Sequence, residues 1–109
     1  MNNVKTTGST VILDKERKVV YDLNALCELE EKYGSLDKAL TKISPREGLP
    51  GMKDIRYMFY LGLKNDDETL TEEKVGSLIT LNNIYDIIEV IGNAMTGSLP
   101  EAKGEGKNE

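Results

Sequence analysis

Hydrophobic residues recur along most of the chain at the three- and four-residue spacings of amphipathic helices. The longest stripe lies near the C-terminus and comprises Ile84, Ile87, Ile88, Ile91, Ala94 and Met95. Asn82 or Asn83 precedes this stripe as a candidate N-cap, and Gly97 and Pro100 follow it as residues that end helices. The spacing therefore predicts a long final helix whose stripe lies in the core.

Two shorter helices are predicted in the first half of the chain. Asp22 is a favourable N-cap for a helix that runs to about Tyr33, and Gly34 is a favourable residue to end it. Its predicted apolar face contains Leu23, Leu26, Cys27 and Tyr33, with Ala25 and Leu29 at the flanks. Ser35 caps a second helix that Pro45 ends. The predicted inner face of that helix contains Leu36, Ala39, Leu40 and Ile43.

Two further helices are predicted in the centre of the chain. From Met52 to Lys64 the second half is apolar nearly all round, which is typical of a helix that is central in the core or covers a partner. An acidic turn at 65–68 leads into a fourth helix. Thr69 and Thr71 are alternative N-caps for it, and Glu72 gives Thr69 the spacing of a capping box. Its predicted inward positions are Val75, Leu78 and Ile79.

The segment before the helices has a different pattern. Two runs rich in β-branched residues, Thr10–Leu13 and Lys18–Tyr21, flank the four charged residues 14–17. This pattern predicts a β-hairpin with a four-residue loop. Because an isolated hairpin is only marginally stable in water, we expect it to pack against the helices.

These elements predict a mainly α fold, with about five short helices in one compact domain and an N-terminal β-hairpin. A chain of 109 residues is the size of one domain. The helical domain is predicted to cover 10–100. Residues 1–9 are polar and aperiodic and are predicted to form a flexible N-terminal arm. Residues 101–109 are almost free of apolar side chains and are predicted to be a disordered tail.

Composition excludes several kinds of chemistry. The chain has no His and one Cys, which excludes an intrachain disulfide, a Cys/His zinc site and histidine-dependent catalysis. Its net charge of −5 argues against binding to a nucleic-acid backbone. No apolar run approaches the roughly 20 residues that span a membrane, and no signal peptide is recognisable. We therefore expect a small, soluble, intracellular, non-enzymatic protein that uses no metal or cofactor and binds neither nucleic acid nor membranes.

Two features that could carry chemistry are expected to be structural. The acidic residues at 65–68, Glu72 and Glu73 lack the glycine at the sixth position that a calcium loop of the EF-hand type requires. A solvated turn followed by charges that suit the helix dipole is the expected role. Cys27 has no histidine to activate it and is expected to be a small buried hydrophobe.

Charge is distributed unevenly, which indicates where a partner would bind. Residues 42–64 contain five basic and two acidic side chains, whereas residues 65–74 contain five acidic and one basic. Arginine, tyrosine and methionine, which are enriched at protein interfaces, occur together in the third helix. The predicted partner-binding residues are Arg56, Tyr57, Tyr60 and Lys64. A protein is the expected partner.

The order of features along the chain is more distinctive than any single motif. Leu-Asn-Ala-Leu-Cys-Glu-Leu-Glu at 23–30 follows the hairpin, and Leu-Thr-Glu-Glu-Lys-Val-Gly at 70–76 follows the acidic turn. An Ile-rich helix and a charged tail close the chain. From about residue 10 to 100 this order resembles the small tail assembly chaperones of bacteriophages with long, non-contractile tails, of related prophages and of gene transfer agents.

This resemblance implies a non-enzymatic role in virion morphogenesis. Such proteins bind the long, helical tape measure protein, keep it soluble and help to recruit tail tube protein around it. They act in the host bacterial cytoplasm and are absent from the finished virion. Two alternatives remain open. The first is a structural tail tube or tail-completion component. The second is a small DNA-binding regulator, which the acidic composition disfavours. Exposed apolar surface would also allow homo-oligomer formation.

Overall fold

The computed structural model describes residues 9–43 and 50–97. Two strands precede five helices, which confirms the predicted mainly α class with an N-terminal hairpin. The elements are β1 (Ser9–Ile12), β2 (Glu16–Val19), α1 (Leu23–Tyr33), α2 (Leu36–Lys42), α3 (Met52–Leu63), α4 (Glu72–Leu78) and α5 (Ile84–Gly97). Ser9 begins β1 and is not part of an arm. The remainder of the predicted arm, the predicted tail and the helix stops at Pro45 and Pro100 lie outside the described residues.

The predicted four-residue loop of the hairpin is wrong. β1 and β2 are antiparallel, with Ser9 opposite Val19 and Ile12 opposite Glu16, so only residues 13–15 connect them. β2 begins earlier than predicted because Arg17 is part of the strand. The Arg17 side chain faces the interior and is 4% exposed. The charge of this buried side chain made the segment resemble a solvated loop.

Arg17 joins the hairpin to the turn that follows α3. Its Nη2 and Nε atoms donate to Asp14 at 2.8 and 3.1 Å, and its Nη1 donates to Asp67 Oδ2 at 2.9 Å. The other Asp67 oxygen accepts from the backbone N–H and the hydroxyl of Thr69 at 3.1 and 2.6 Å. Hydrogen bonds from Thr69 and Arg17 lower the pKa of Asp67 to about 2. The acidic turn is therefore partly a tertiary contact, which the sequence did not predict.

α1 has the predicted ends but a different buried face. Asp22 Oδ1 accepts from the Ala25 N–H at 2.9 Å, and Gly34 has the positive φ of +98° that favours glycine after a helix. Ala25 and Leu29 are the buried residues of this helix, and Leu26 and Tyr33 are half-buried. Leu23 and Cys27 lie on the opposite flank and are exposed.

The predictions for Leu23 and Cys27 are therefore wrong. The two candidate faces of α1 carry similar numbers of apolar residues, and the fold buries the face that contains Ala25 and Leu29 in the core. Cys27 is a free, exposed thiol instead of a buried hydrophobe. The prediction for α2 is confirmed, because Ser35 Oγ accepts from the Lys38 N–H at 3.1 Å. Its inner residues Leu36, Ala39, Leu40 and Ile43 belong to the core cluster or pack against it.

α3 is the central helix, which is one of the two roles that its apolar pattern predicts. Its buried residues are Ile55, Met58, Phe59, Leu61, Gly62 and Leu63. The end of the hairpin packs against it through two hydrogen bonds. The Val20 N–H donates to the Gly62 carbonyl at 2.9 Å, and the Tyr21 hydroxyl donates to the Met58 carbonyl at 2.5 Å. Burial raises the pKa of Tyr21 well above its ordinary value.

α4 and α5 complete the core. Thr71, and not Thr69, is the N-cap of α4, because its hydroxyl oxygen accepts from the Lys74 N–H at 3.1 Å. Asn83 directly precedes α5, and its side chain binds the Thr80 N–H and the Leu78 carbonyl. The predicted stripe of α5 is buried throughout, together with Val90. No helix in the described part of the chain is long and apolar enough to cross a membrane.

Candidate partner-binding site

The four predicted partner-binding residues lie on one side of α3. Positions 56, 57, 60 and 64 share one helical face, whose tyrosines pack against the edge of the core, and we name this surface the outer face of α3. Arg56 is exposed, whereas Tyr57, Tyr60 and Lys64 are half-buried. The structure therefore brings these side chains together, between α1 on one side and α4 on the other.

Contacts with α1 occupy part of this face. Lys64 Nζ lies 3.1 Å from Glu28 Oε2 and 5.5 Å from the centre of the Tyr60 ring. The carboxylate of Glu28 raises the pKa of Lys64. Lys32 Nζ lies 4.5 Å from the centre of the Tyr57 ring, and burial raises the pKa of Tyr57. The two helices are thus joined by the Lys64–Glu28 ion pair and by the contact of Lys32 with the Tyr57 ring.

A tyrosine of α1 extends this cluster toward the start of α3. The Tyr33 hydroxyl donates to Asp54 Oδ1 at 2.7 Å, and its ring meets the Tyr57 ring edge-on at 6.4 Å. Desolvation and the Asp54 carboxylate raise the pKa of Tyr33 above its ordinary value. Neither Tyr33 nor Asp54 was among the predicted site residues, because their contact joins residues that are 21 positions apart.

The basic character of α3 is partly neutralised by its neighbours. Arg56 Nε lies 3.7 Å from Glu72 Oε2 of α4, with both side chains nearly half exposed. Lys64 is opposite Glu28, as described above. Exposed pairs of this kind contribute roughly 0–1 kcal/mol and exchange readily with other charged groups. The outer face of α3 is therefore a surface of weakly paired charges and not the excess of positive charge that counting along the chain predicted.

An apolar groove opens beside Arg56, and we name it the α3–α4 groove. Its volume is about 440 Å³. Its apolar lining comes from the start of α3, the end of α4 and the start of α5, and comprises Met52, Ile55, Ile79 and Ile84. Charged side chains at its rim are Lys53, Arg56 and Glu73. Met52 is 51% exposed, so a large flexible apolar side chain lies at the groove's edge.

Gly76 allows the rim of the groove to form. A Cβ atom at this position would lie 3.0 Å from Arg56 Cδ, so the arginine stem lies directly over α4. The many apolar residues of α3 indicate a surface that a partner could cover. The sequence of α3 does not indicate that α4 and α5 supply the other wall of the groove. Of the four predicted residues, Arg56 alone lines this groove.

The described residues offer little for metal chemistry. Within 9–43 and 50–97, no three Cys, Asp or Glu side chains are grouped so that they could hold a metal ion. In the acidic segment, Asp67 binds Arg17 and Glu72 faces Arg56. The outer face and the groove together present apolar surface flanked by partly exposed charges, a composition that is typical of protein interfaces.

Comparisons of the chain with protein-family models, with curated proteins and with solved structures give no significant match.

Proposed function

We propose that this protein is a bacteriophage tail assembly chaperone. In this proposal it binds the tape measure protein in the cytoplasm of the host bacterium, helps tail tube protein to assemble around it and is absent from the finished virion. The activity is protein binding without catalysis. The order of sequence features from about residue 10 to 100 suggests this family, and the surface of α3 supports a protein-binding role.

The α3–α4 groove is the observation that carries the proposal. An amphipathic helix binds a partner by placing apolar side chains, spaced three or four residues apart, into a groove of this kind. The lining of Met52, Ile55 and Ile79 would receive those side chains. Since the tape measure proteins of this family are long helices with a tendency to aggregate, a groove that covers apolar helix surface would keep such a client soluble.

The charges around the groove support reversible binding. Arg56 and Glu72 are 3.7 Å apart and nearly half exposed, so either could pair with a client charge at little loss of stability. A chaperone that leaves the assembled tail requires an interface of this exchangeable type. The same surface would make a permanent structural contact less favourable.

Co-expression with the tape measure protein of the same gene cluster tests the proposal. We expect the client to become soluble and to co-purify with the unaltered chain. Met52→Glu places a charge at the edge of the groove and is expected to abolish co-purification. Leu23→Glu is the matched control, because Leu23 is also exposed, at 73%, but lies on α1. A client that stays insoluble, or that is lost equally with both variants, would contradict the proposal.

Mass spectrometry of purified virions separates the chaperone from the structural alternative. A chaperone is expected to be missing from particles that contain tape measure and tail tube proteins in normal amounts. Recovery of this chain at a fixed ratio to the tail tube protein would instead identify a tail tube or tail-completion component.

A further inference from the structure

The outer edge of β1 has backbone groups available to a partner. In the described part of the chain, β2 is the only strand that pairs with β1. The Leu13 N–H donates to the Lys15 carbonyl at 3.0 Å, so these two residues share one ladder hydrogen bond, and the Lys15 N–H donates instead to Asp14 Oδ1. Because hydrogen-bonded pairs alternate along an antiparallel ladder, Thr10 and Ile12 direct their N–H and C=O groups away from β2.

A groove runs along this edge, between β1 and α5. It has a volume of about 600 Å³. β1 contributes Thr10, Val11 and Ile12 to its lining, and α5 contributes Asp86, Glu89, Val90 and Asn93. Ile12 is 78% exposed, so an apolar side chain accompanies the unpaired backbone. An exposed edge strand beside a groove is the usual site at which an extended peptide adds to a sheet.

The charge of the groove indicates which peptide would fit. Asp86 and Glu89 are both exposed, and neither has an ion-pair partner among the described residues. They are three positions apart on α5, so their Cβ atoms are about 5–6 Å apart. Alternate side chains of an extended strand are roughly 7 Å apart and point to the same side. Two basic residues at alternate positions could therefore reach both carboxylates.

We propose that the β1 edge binds an extended segment of a partner protein that carries two basic residues at alternate positions. The segment adds a third strand by hydrogen bonding to the backbone of Thr10 and Ile12. Its basic side chains pair with Asp86 and Glu89. This site lies apart from the α3–α4 groove, shares no lining residue with it and does not depend on the proposed chaperone function.

The probe is the capped hexapeptide acetyl-Thr-Lys-Val-Lys-Val-Thr-amide, titrated into the full-length, isotopically labelled protein at low salt. We expect saturable shifts in the amide resonances of Thr10 and Ile12. The D86N/E89Q double variant is expected to bind roughly fivefold more weakly, since it loses two exposed ion pairs. E30Q/E31Q removes the same charge from α1 and is the matched control. Thr10→Pro, which removes an outward N–H at a strand edge, is expected to abolish the shift of the Ile12 amide.

Several results would overturn this proposal. Equal binding by the two double variants, or equal binding of a peptide with Glu in place of Lys, would exclude pairing with Asp86 and Glu89. If the Ile12 amide shifts with protein concentration in the absence of peptide, and Thr10→Pro removes both this shift and the dimers, a second copy of the chain occupies the edge. The K103Q/K107Q variant is compared with the unaltered protein, both without peptide. A difference between them in the Thr10 and Ile12 amide resonances would show that the chain's own C-terminal residues occupy the β1 edge.

Discussion

The inner face of α3 meets the hairpin and Tyr21 through close apolar contacts and hydrogen bonds to backbone carbonyls. Its outer face instead meets α1 and α4 through ion pairs of long side chains and through the rings of Tyr33 and Tyr57. On the inner side, a Cβ added to Gly62 would lie only 2.6 Å from Val19 Cγ1. On the outer side, Lys64 and Arg56 approach their carboxylate partners at 3.1 and 3.7 Å and remain partly hydrated.

The two faces of α3 therefore differ in how much their contacts contribute to the stability of the fold. Close apolar packing cannot be exchanged for a partner without opening the core. Exposed ion pairs can be exchanged, because each contributes little to folding. Under the proposed function, a helix that is anchored on one side and weakly paired on the other would present its outer face to a client while the fold stays unchanged.

The largest expected effect concerns Arg17, which fixes the hairpin against the end of α3. Arg17→Met keeps an apolar stem but removes the hydrogen bonds to Asp14 and Asp67. We expect a loss of about 2 kcal/mol in the free energy of unfolding, because several charge-assisted hydrogen bonds disappear from a buried group. Urea denaturation followed by circular dichroism measures it. A loss below about 0.5 kcal/mol, the range of ordinary surface substitutions, would show that the inner side is not fixed by this residue.

Substitution of two helical glycines tests the close packing directly. Gly62→Ala places a methyl group against Val19 and the Tyr21 ring, and the strain is expected to exceed the helix-propensity gain by about 1 kcal/mol. Gly92→Ala on α5 meets no neighbouring atom within 4 Å and is expected to stabilise by about 0.5–1 kcal/mol. Urea midpoints should therefore move in opposite directions. Equal stabilisation by both substitutions would show that the hairpin does not press against α3.

Acidification should weaken the inner side through Asp67. The pKa of Asp67 is about 2 in the folded protein, below its ordinary value of 3.8, because Thr69 and Arg17 stabilise the charged carboxylate. The folded state therefore binds this proton less readily than the unfolded state, so the contribution is complete above about pH 4 and is lost as the pH falls toward 2. Urea midpoints between pH 5 and 2 should fall less steeply for Asp67→Asn. If the urea midpoint falls equally steeply with pH in both proteins, Asp67 does not have the lowered pKa in the folded state.

The elements of this fold could be predicted from the sequence because their signals are local. Caps such as Asp22 and Ser35 lie next to the helices they begin, and the stripe of α5 repeats at helical spacing. Pairing across the fold has no such signal. Arg17 looked like a loop residue because its partner Asp67 is 50 positions away. The sequence pattern places Cys27 on the wrong face because only tertiary packing distinguishes the two apolar sides of α1.

The candidate site was partly predictable for the same reason. Arg56, Tyr57, Tyr60 and Lys64 share a face by spacing alone, and the structure keeps them together. Their ion-pair partners, by contrast, belong to other helices. The wall of the α3–α4 groove that Ile79 and Ile84 provide requires the turn after α4 to place α5 beside α3. This arrangement of three helices depends on the path of the chain, and the spacing of residues within one helix does not predict it.

The smallest expected effect concerns the outer face and would complete the contrast. A double-mutant cycle of Lys64→Gln and Glu28→Gln isolates their pairing. The two side chains are 36% and 43% exposed, so we expect a coupling energy of about 0.5 kcal/mol or less. Thermal unfolding at low and high salt measures it, and added salt should reduce the coupling because exposed charges are screened. A coupling above about 1.5 kcal/mol that salt does not change would mean that the outer face is fixed as firmly as the inner one, and that it could not exchange its charges with a partner.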